Sequence, residues 1–341
     1  MKGKNQADTK NNKIISHGMF AAFSDFFHPK FPILFFKSKY ENYLVVRFLW
    51  LRKVFRFPKQ KDFPENTKEI VREFARAKEN KHKRVAVFAG FRYDGKISDA
   101  QIYYIKELKK VCDDIVFISD CPVFESEITK IKDLVSYCYF SRHGLYDFGS
   151  YKIGYEYLKE KGYLEDTEEL ILCNDSCYGP VYPFEKYFNG IDKSDLDFWG
   201  ISTNIKPRRH IQSFFYVFKK QVFQSEAFKS FMNNIKKEKS VQDVINNYEI
   251  PFTTTLENSG FKGGSILPEF VYGILNQLNK TLYPMIMLET FECPLVKVKV
   301  FNNGFFDMVR DKPADVLNFI NSVNPELAEI IKKENIDTCN K

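Results

Sequence analysis

The apolar run Leu170-Ile171-Leu172-Cys173 stops abruptly at Asn174-Asp175-Ser176 and is followed by Tyr178-Gly179-Pro180. A buried strand that delivers a carboxylate with amide and hydroxyl neighbours to its C-terminal end, then turns sharply, places ligand groups over a crevice in α/β proteins. The same three residues are also ordinary turn formers. Their meaning depends on other groups of the same kind. Asp147, in Tyr146-Asp147-Phe148-Gly149-Ser150, stands just ahead of an expected helix. Its carboxylate either caps the first turn or binds sugar hydroxyls. Gly144 and Gly149 permit close backbone approach, and the N–H groups of a helix start suit a phosphate.

Glu249 lies in Asn246-Asn247-Tyr248-Glu249-Ile250-Pro251. Pro251 fits the first turn of a helix ending near Gly260, which puts Glu249 just before the helix start and accessible. There it is either a partner of the helix dipole or a general base within about 3 Å of an acceptor hydroxyl. Arg208-Arg209-His210 opens an aromatic segment, Ile211 to Phe218. That group is either a solvated hairpin turn or a diphosphate site in which guanidinium groups neutralise a leaving group.

The elements that must hold these residues read as α/β. Val85 to Ala89 and Ile115 to Ile118 are short continuous apolar runs of buried-strand type, and Ser98 to Val111 between them has helical spacing at Ile102, Ile105 and Leu108. Strand, helix and strand in that order predict a right-handed crossover and a mostly parallel sheet with flanking helices. Leu134 to Phe140 is the next strand, and the helix after Ser150 carries Tyr151, Gly154, Tyr155 and Leu158 on one face. Phe198 to Thr203 and Ile211 to Phe218 read as two more strands around the turn Lys206-Pro207-Arg208-Arg209. The first 80 residues show no clear strand, aromatic clusters and a polar helix-like stretch from Glu65 to Lys81, a mainly helical N-terminal extension. Residues 81–310 then form the main domain and 311–341 a helical tail.

At 341 residues with 44% hydrophobic side chains the chain can bury a large core, which excludes global disorder. Its net charge of +7 is interspersed with acidic residues and forms no stripe of the kind a nucleic-acid binder needs. The seven cysteines include no zinc-type CxxC pair, so buried thiols in a reduced, cytoplasmic protein are expected. No secretory signal or membrane-length apolar stretch is visible. Phe31 to Phe36 and Tyr43 to Phe57 mix aromatic residues with Arg47, Arg52, Lys53 and Arg56, which fits either a core helix with outward arginines or peripheral contact with the inner membrane face. The absence of GxGxxG and Walker patterns argues against dinucleotide and ATPase folds.

Tyr146 to Tyr151, Leu172 to Pro180, Asp197-Phe198-Trp199-Gly200-Ile201 and His210-Ile211-Gln212-Ser213-Phe214-Phe215 together resemble the rhamnan synthesis F family of bacterial polysaccharide glycosyltransferases, over residues 84 to 300. The resemblance implies a GT-A-like fold with a nucleotide-sugar donor, a dTDP-deoxysugar, and a glycan or lipid-linked glycan acceptor of a cell wall, capsule or lipopolysaccharide. It implies that Asn174-Asp175-Ser176 occupies the metal-binding acidic motif, with Asp175 holding Mg²⁺ or Mn²⁺ against the diphosphate. Position 174 is Asn and 176 is Ser, a departure from the two-aspartate form that leaves Arg208 and Arg209 as the alternative to a metal. Glu249 falls where such enzymes carry their base, with His210 the second choice, and Asp147, Gly149 and Ser150 would contact donor sugar or phosphate. Direct displacement with inversion follows. The competing expectation is a catalytically silent glycan- or partner-binding module on the same fold.

Overall fold

Three segments dictate the centre of the fold. Arg84–Gly90, Asp114–Ser119 and Glu169–Asn174 are buried almost throughout, so each must lie inside a sheet covered on both faces. They do so in the computed structural model, which describes residues 63–76, 81–191, 195–268, 280, 283–301 and 311–339. Phe31 to Phe36 and Tyr43 to Phe57 lie outside the described residues.

The strands in chain order are β1 (Ile70–Glu73), β2 (Arg84–Gly90), β3 (Asp114–Ser119), β4 (Tyr137–Phe140), β5 (Glu169–Asn174), β6 (Cys177–Tyr178), β7 (Phe198–Gly200), β8 (Thr203–Asn204), β9 (His210–Ile211), β10 (Phe215–Lys219), β11 (Gly263–Ser265) and β12 (Val296–Lys297). Eight form one sheet in the order β1-β4-β3-β2-β5-β10-β7-β11. All run the same way except β1 and β10, so the sheet is mixed and mostly parallel. The helices that matter here are α1 (Asp99–Leu108), α2 (Tyr146–Glu160), α3 (Glu226–Asn233), α4 (Ile250–Asn258), α5 (Pro313–Val323) and α6 (Pro325–Cys339).

Alternation along each strand separates two cores. Ala86, Phe88, Phe117, Ile171 and Cys173 face the side covered by Tyr104, Ile105 and Leu108 of α1. Val85, Val87, Val116, Leu170 and Leu172 face Phe148, Tyr151, Tyr155 and Leu158 of α2, with Phe228 of α3 and Phe252 of α4. Gly154 permits the close approach of α2, because a Cβ there would stand 2.4 Å from Val87 Cγ1. A third core joins β6 and β12 to Val316, Ile320, Leu327 and Ile331 of α5 and α6.

The chain winds outward from β2 through β3 to β4, then returns through α2 to place β5 on the other side of β2. The sheet therefore changes winding direction between β2 and β5, and a crevice opens at their carboxyl ends. Gly90 and Asn174 end there. Because β10 runs antiparallel to β5, with Phe215 opposite Cys173, the residues leading into β10 also arrive at that edge.

Several expectations need correction. Part of the polar stretch Glu65 to Lys81 is a strand, β1, with Ile70 opposite Phe140. Pairing with the open edge of β4 overrides the helix preference of its Glu and Arg residues, which give that edge a charged surface. Phe198 to Thr203 and Ile211 to Phe218 are each broken. Gly200 ends β7, and Gln212-Ser213-Phe214 separates the β8–β9 hairpin from β10. The expected turn at Lys206-Pro207-Arg208-Arg209 joins β8 to β9. Among the described residues Cys112, Cys121, Cys138, Cys173, Cys177 and Cys293 are free and buried, as expected. Among the described residues no helix is long and apolar enough to cross a membrane.

Candidate active site

Asn174 and Asp175 are consecutive at the end of β5 and reach into different groups of residues. The Asp175 Oδ2 accepts hydrogen bonds from the backbone N–H of Phe91 at 2.8 Å and from Gln101 Nε2 at 2.8 Å. Gln101 is fixed at both ends of its amide, since its Oε1 accepts from Ser98 N while Ser98 Oγ accepts from Gln101 N, a reciprocal cap that starts α1. The guanidinium of Arg92 adds a positive charge near Asp175 and is itself gripped by Asp94 at 2.6 Å, with Glu334 of α6 at 3.7 Å. Burial pushes the Asp175 carboxyl up to about 6 against the pull of these donors. A cavity of about 130 Å³ opens beside it, lined by Phe91, Arg92, Ser98, Gln101, Tyr104, Asp175, Tyr178 and Glu334 among others.

Asn174 turns toward α2. Its Nδ2 donates to Asp147 Oδ2 at 3.1 Å, and its Oδ1 accepts from Ser176 N and Oγ at 3.1 and 2.6 Å. Ser213, delivered by the segment before β10, donates its hydroxyl to Glu249 Oε2 at 2.5 Å and lies 3.5 Å from Asp147 Oδ2. Its carbonyl is held by the Tyr151 hydroxyl at 2.8 Å. His210 Nε2 is 3.5 Å from Glu249 Oε1, while its Nδ1 faces the Arg208 carbonyl at 2.7 Å. Lys297 of β12 donates to Ser176 Oγ at 2.9 Å. Two carboxylates, Asp147 and Glu249, therefore share one serine hydroxyl.

Their environments push them apart. Burial first, and the nearby charge of Glu249 second, raise Asp147 to about 6. Burial also acts on Glu249, but hydrogen bonds from His210 and Ser213 and the charge of Lys297 outweigh it and hold the carboxyl below its ordinary value. A pair split in this way holds one ionised and one readily protonated carboxyl, the usual basis for dividing acid and base roles.

The structure thus brings together Asp147, Asn174, Ser176, His210 and Glu249, with Asp175 on the adjoining side. Glu249 does not stand at a free helix start. It ends a π-helical turn, Ile245–Glu249, that runs directly into α4, and its side chain is largely buried. Asp147 is not a cap, because it sits inside the first turn of α2 after Leu145, with its carboxylate turned to Asn174. Gly149 and Ser150 are buried inside α2. A Cβ at Gly149 would stand 1.9 Å from that of Leu145, and Ser150 Oγ meets His143 Nε2 at 3.1 Å, so this stretch supports the site from behind. Arg209 is engaged by Glu257 and the Gly263 carbonyl, and Arg208 is exposed on the hairpin turn.

Sequence reasoning missed Arg92, Gln101, Ser213 and Lys297. The capping box Ser98-x-x-Gln101 was readable, and Phe91-Arg92 follows a buried strand directly, where βα loops carry ligand groups. Lys297 had no local signal beyond a strand of alternating valines. Among the described residues no three His, Cys, Asp or Glu side chains converge as metal ligands. Asp175 offers a carboxylate oxygen at the crevice, which suits Mg²⁺ or Mn²⁺ held by one carboxylate together with phosphate oxygens and water, not a cage built by the protein.

Among solved structures, a cytidylyltransferase from Leptospira borgpetersenii serovar Hardjo-bovis aligns with a TM-score of 0.36 and 12% identity, covering 72% of this chain and 96% of that one. Core-mannan synthase A from Aspergillus fumigatus, in its Mn/GDP form, aligns with a TM-score of 0.26 and 11% identity over 52% of this chain and 72% of that one. Virulence protein VirA of Vibrio anguillarum is 27% identical over 210 residues, 58% of this chain and 63% of VirA. Protein y4gN of Sinorhizobium fredii is 27% identical over 154 residues, 43% of this chain and 39% of y4gN. The chain therefore spans less than two thirds of the length of either relative. The family model for rhamnan synthesis protein F matches residues 115–337, which contain α2, β5, the Ser213 segment, Glu249 and Lys297, and the chain belongs to that family.

Proposed function

We propose that the chain is a glycosyltransferase that moves a sugar, rhamnose or a related deoxysugar from its dTDP donor, onto a cell-surface polysaccharide or lipid-linked glycan by direct displacement with inversion. The observation that carries this reading is the junction at Asn174-Asp175, where a hydrogen-bonded carboxylate dyad and a polar cavity meet at the carboxyl ends of β2 and β5. A nucleotide sugar needs both: a crevice for the nucleotide and an adjoining base for the acceptor hydroxyl.

Each group has a task. The cavity beside Phe91, Arg92 and Gln101 takes the donor, and Asp175 would hold the divalent ion that such a diphosphate brings, which would supply charge neutralisation. Glu249, kept ionised by Ser213, His210 and Lys297, takes the proton of the acceptor hydroxyl. Asp147, poised at about 6, accepts a hydrogen bond from Asn174 and with Ser213 fixes the position of Glu249. His210 orients Glu249.

The test is a donor screen. The purified chain is mixed with dTDP-rhamnose, UDP-sugars and GDP-sugars, with and without Mn²⁺ or Mg²⁺, and with glycan acceptors extracted from the cell surface. Release of nucleoside diphosphate with one donor, lost in Asp175→Ala and Glu249→Ala, supports the assignment. Binding of a glycan with no nucleotide sugar bound or consumed under any metal condition would replace it with the silent binding module.

A further inference from the structure

We propose that Lys297 receives the nucleoside diphosphate as it leaves, and that it rather than Arg208 and Arg209 is the protein's own cation for the leaving group. The inference rests on the transferase reading and adds a residue from the far end of the chain to it.

Lys297 is held at the junction of the two halves of the site. β12 pairs antiparallel with β6, Lys297 opposite Cys177, and Val298 N donates to the Ser176 carbonyl at 3.0 Å. This pairing ties the lysine backbone to the residues directly after Asp175. Its side chain then lies with Nζ 4.0 Å from the centre of the Phe214 ring and 2.9 Å from Ser176 Oγ, a donor position next to Asp175 and open to solvent in part. Its charge acts on Asp147 and Glu249 as well.

Arg209 is held by Glu257 and the Gly263 carbonyl, and Arg208 is exposed on the hairpin turn, whereas Lys297 stands beside Ser176.

In the transfer step the acceptor oxygen forms a bond to the anomeric carbon as the bond from that carbon to the β-phosphate oxygen breaks. The electron pair leaves with the phosphate oxygen, where Lys297 donates a hydrogen bond, and the acceptor proton passes to Glu249. Nothing else is consumed.

The experiment is calorimetric titration of the full chain with dTDP, UDP and GDP in Mn²⁺, and with thymidine, uridine and guanosine as phosphate-free controls, using Lys297→Gln and Lys297→Arg. Hydrogen bonds to charged groups of this kind correspond to about 10–100-fold in affinity. Lys297→Gln is expected to weaken the diphosphate by that factor and to leave the nucleoside unchanged, with Lys297→Arg recovering part of the loss. Equal diphosphate binding by wild type and Lys297→Gln would overturn the role of Lys297 alone, as would an equal loss for nucleoside and diphosphate. A wild-type chain that binds none of the three diphosphates overturns the transferase reading and this inference together.

Discussion

Replacing Asp175 by Asn should stabilise the protein at neutral pH while abolishing transfer. The Asp175 carboxyl stands at about 6 against an ordinary value of 3.8 because burial opposes its charge more than Phe91, Gln101 and Arg92 favour it. The folded state therefore binds a proton more tightly than the unfolded chain, and folding stability falls as pH rises through the window from about 4 to about 6. By linkage the ionised group costs at most about 3 kcal/mol above that window. Asp175 is partly open to the cavity, so solvent reduces this to roughly 1–2 kcal/mol. Asn keeps an oxygen to accept from Phe91 N and Gln101 Nε2, so those two bonds survive. For a chain of this size the gain corresponds to a rise in melting midpoint of roughly 2–8 °C. The assay is thermal unfolding of wild type and Asp175→Asn at pH 7.5 and at pH 4.5. The rise should be clear at pH 7.5 and shrink at pH 4.5. A lower midpoint for the variant at pH 7.5, or a gain independent of pH, would refute the view that this carboxylate is held at an energetic disadvantage for the sake of a ligand.

Glu249→Gln should reduce turnover by about 10²–10⁴-fold with donor binding little changed, measured by single-turnover kinetics beside calorimetry. In the same variant the Asp147 carboxyl should titrate below its wild-type value of about 6, since one source of its elevation is removed; carbon-13 NMR of the carboxyl group reads this directly, and an unchanged titration would separate the two residues electrostatically. Gly154→Ala should destabilise the chain by about 1–3 kcal/mol in chemical denaturation, because the added methyl meets Val87 at 2.4 Å in a packed core. Activity per folded molecule should survive that change.

The parts of the fold legible in the sequence are those in which local pattern and burial agree. β2, β3 and β5 are continuous apolar runs, α1 begins at a readable capping box, and the helix after Ser150 buries the face that its Tyr151, Gly154, Tyr155 and Leu158 define. β1 was hidden because it exists through pairing alone: only Ile70 of its four residues is buried. Likewise the break at Gln212-Ser213-Phe214 interrupts an aromatic run with no Gly or Pro to announce it. The break is set by the Tyr151 hydroxyl on the Ser213 carbonyl and the Phe214 carbonyl on Asn174 N, contacts across more than 35 positions of chain.

The site divides by the same principle. Asp175 and Asn174 were visible because a strand end supplies them locally, but the direction of each side chain depends on what α1 and α2 bring from opposite faces of the sheet. That opposition has a mechanistic consequence. Consecutive residues of a strand point to opposite faces, so the Asp175 carboxylate and the Asn174 amide that is bonded to Asp147 are joined by a single peptide unit. On the proposed transferase reading, a shift of the β5 terminus would move both at once and so tie donor seating to base position without any separate linking element. Ser176 closes the connection, since its hydroxyl binds the Asn174 side chain on one side and Lys297 on the other. The three residues Asn174-Asp175-Ser176 thus form a junction, with the Asp175 side chain bonded toward α1, the Asn174 side chain toward α2 and the Ser176 hydroxyl toward β12.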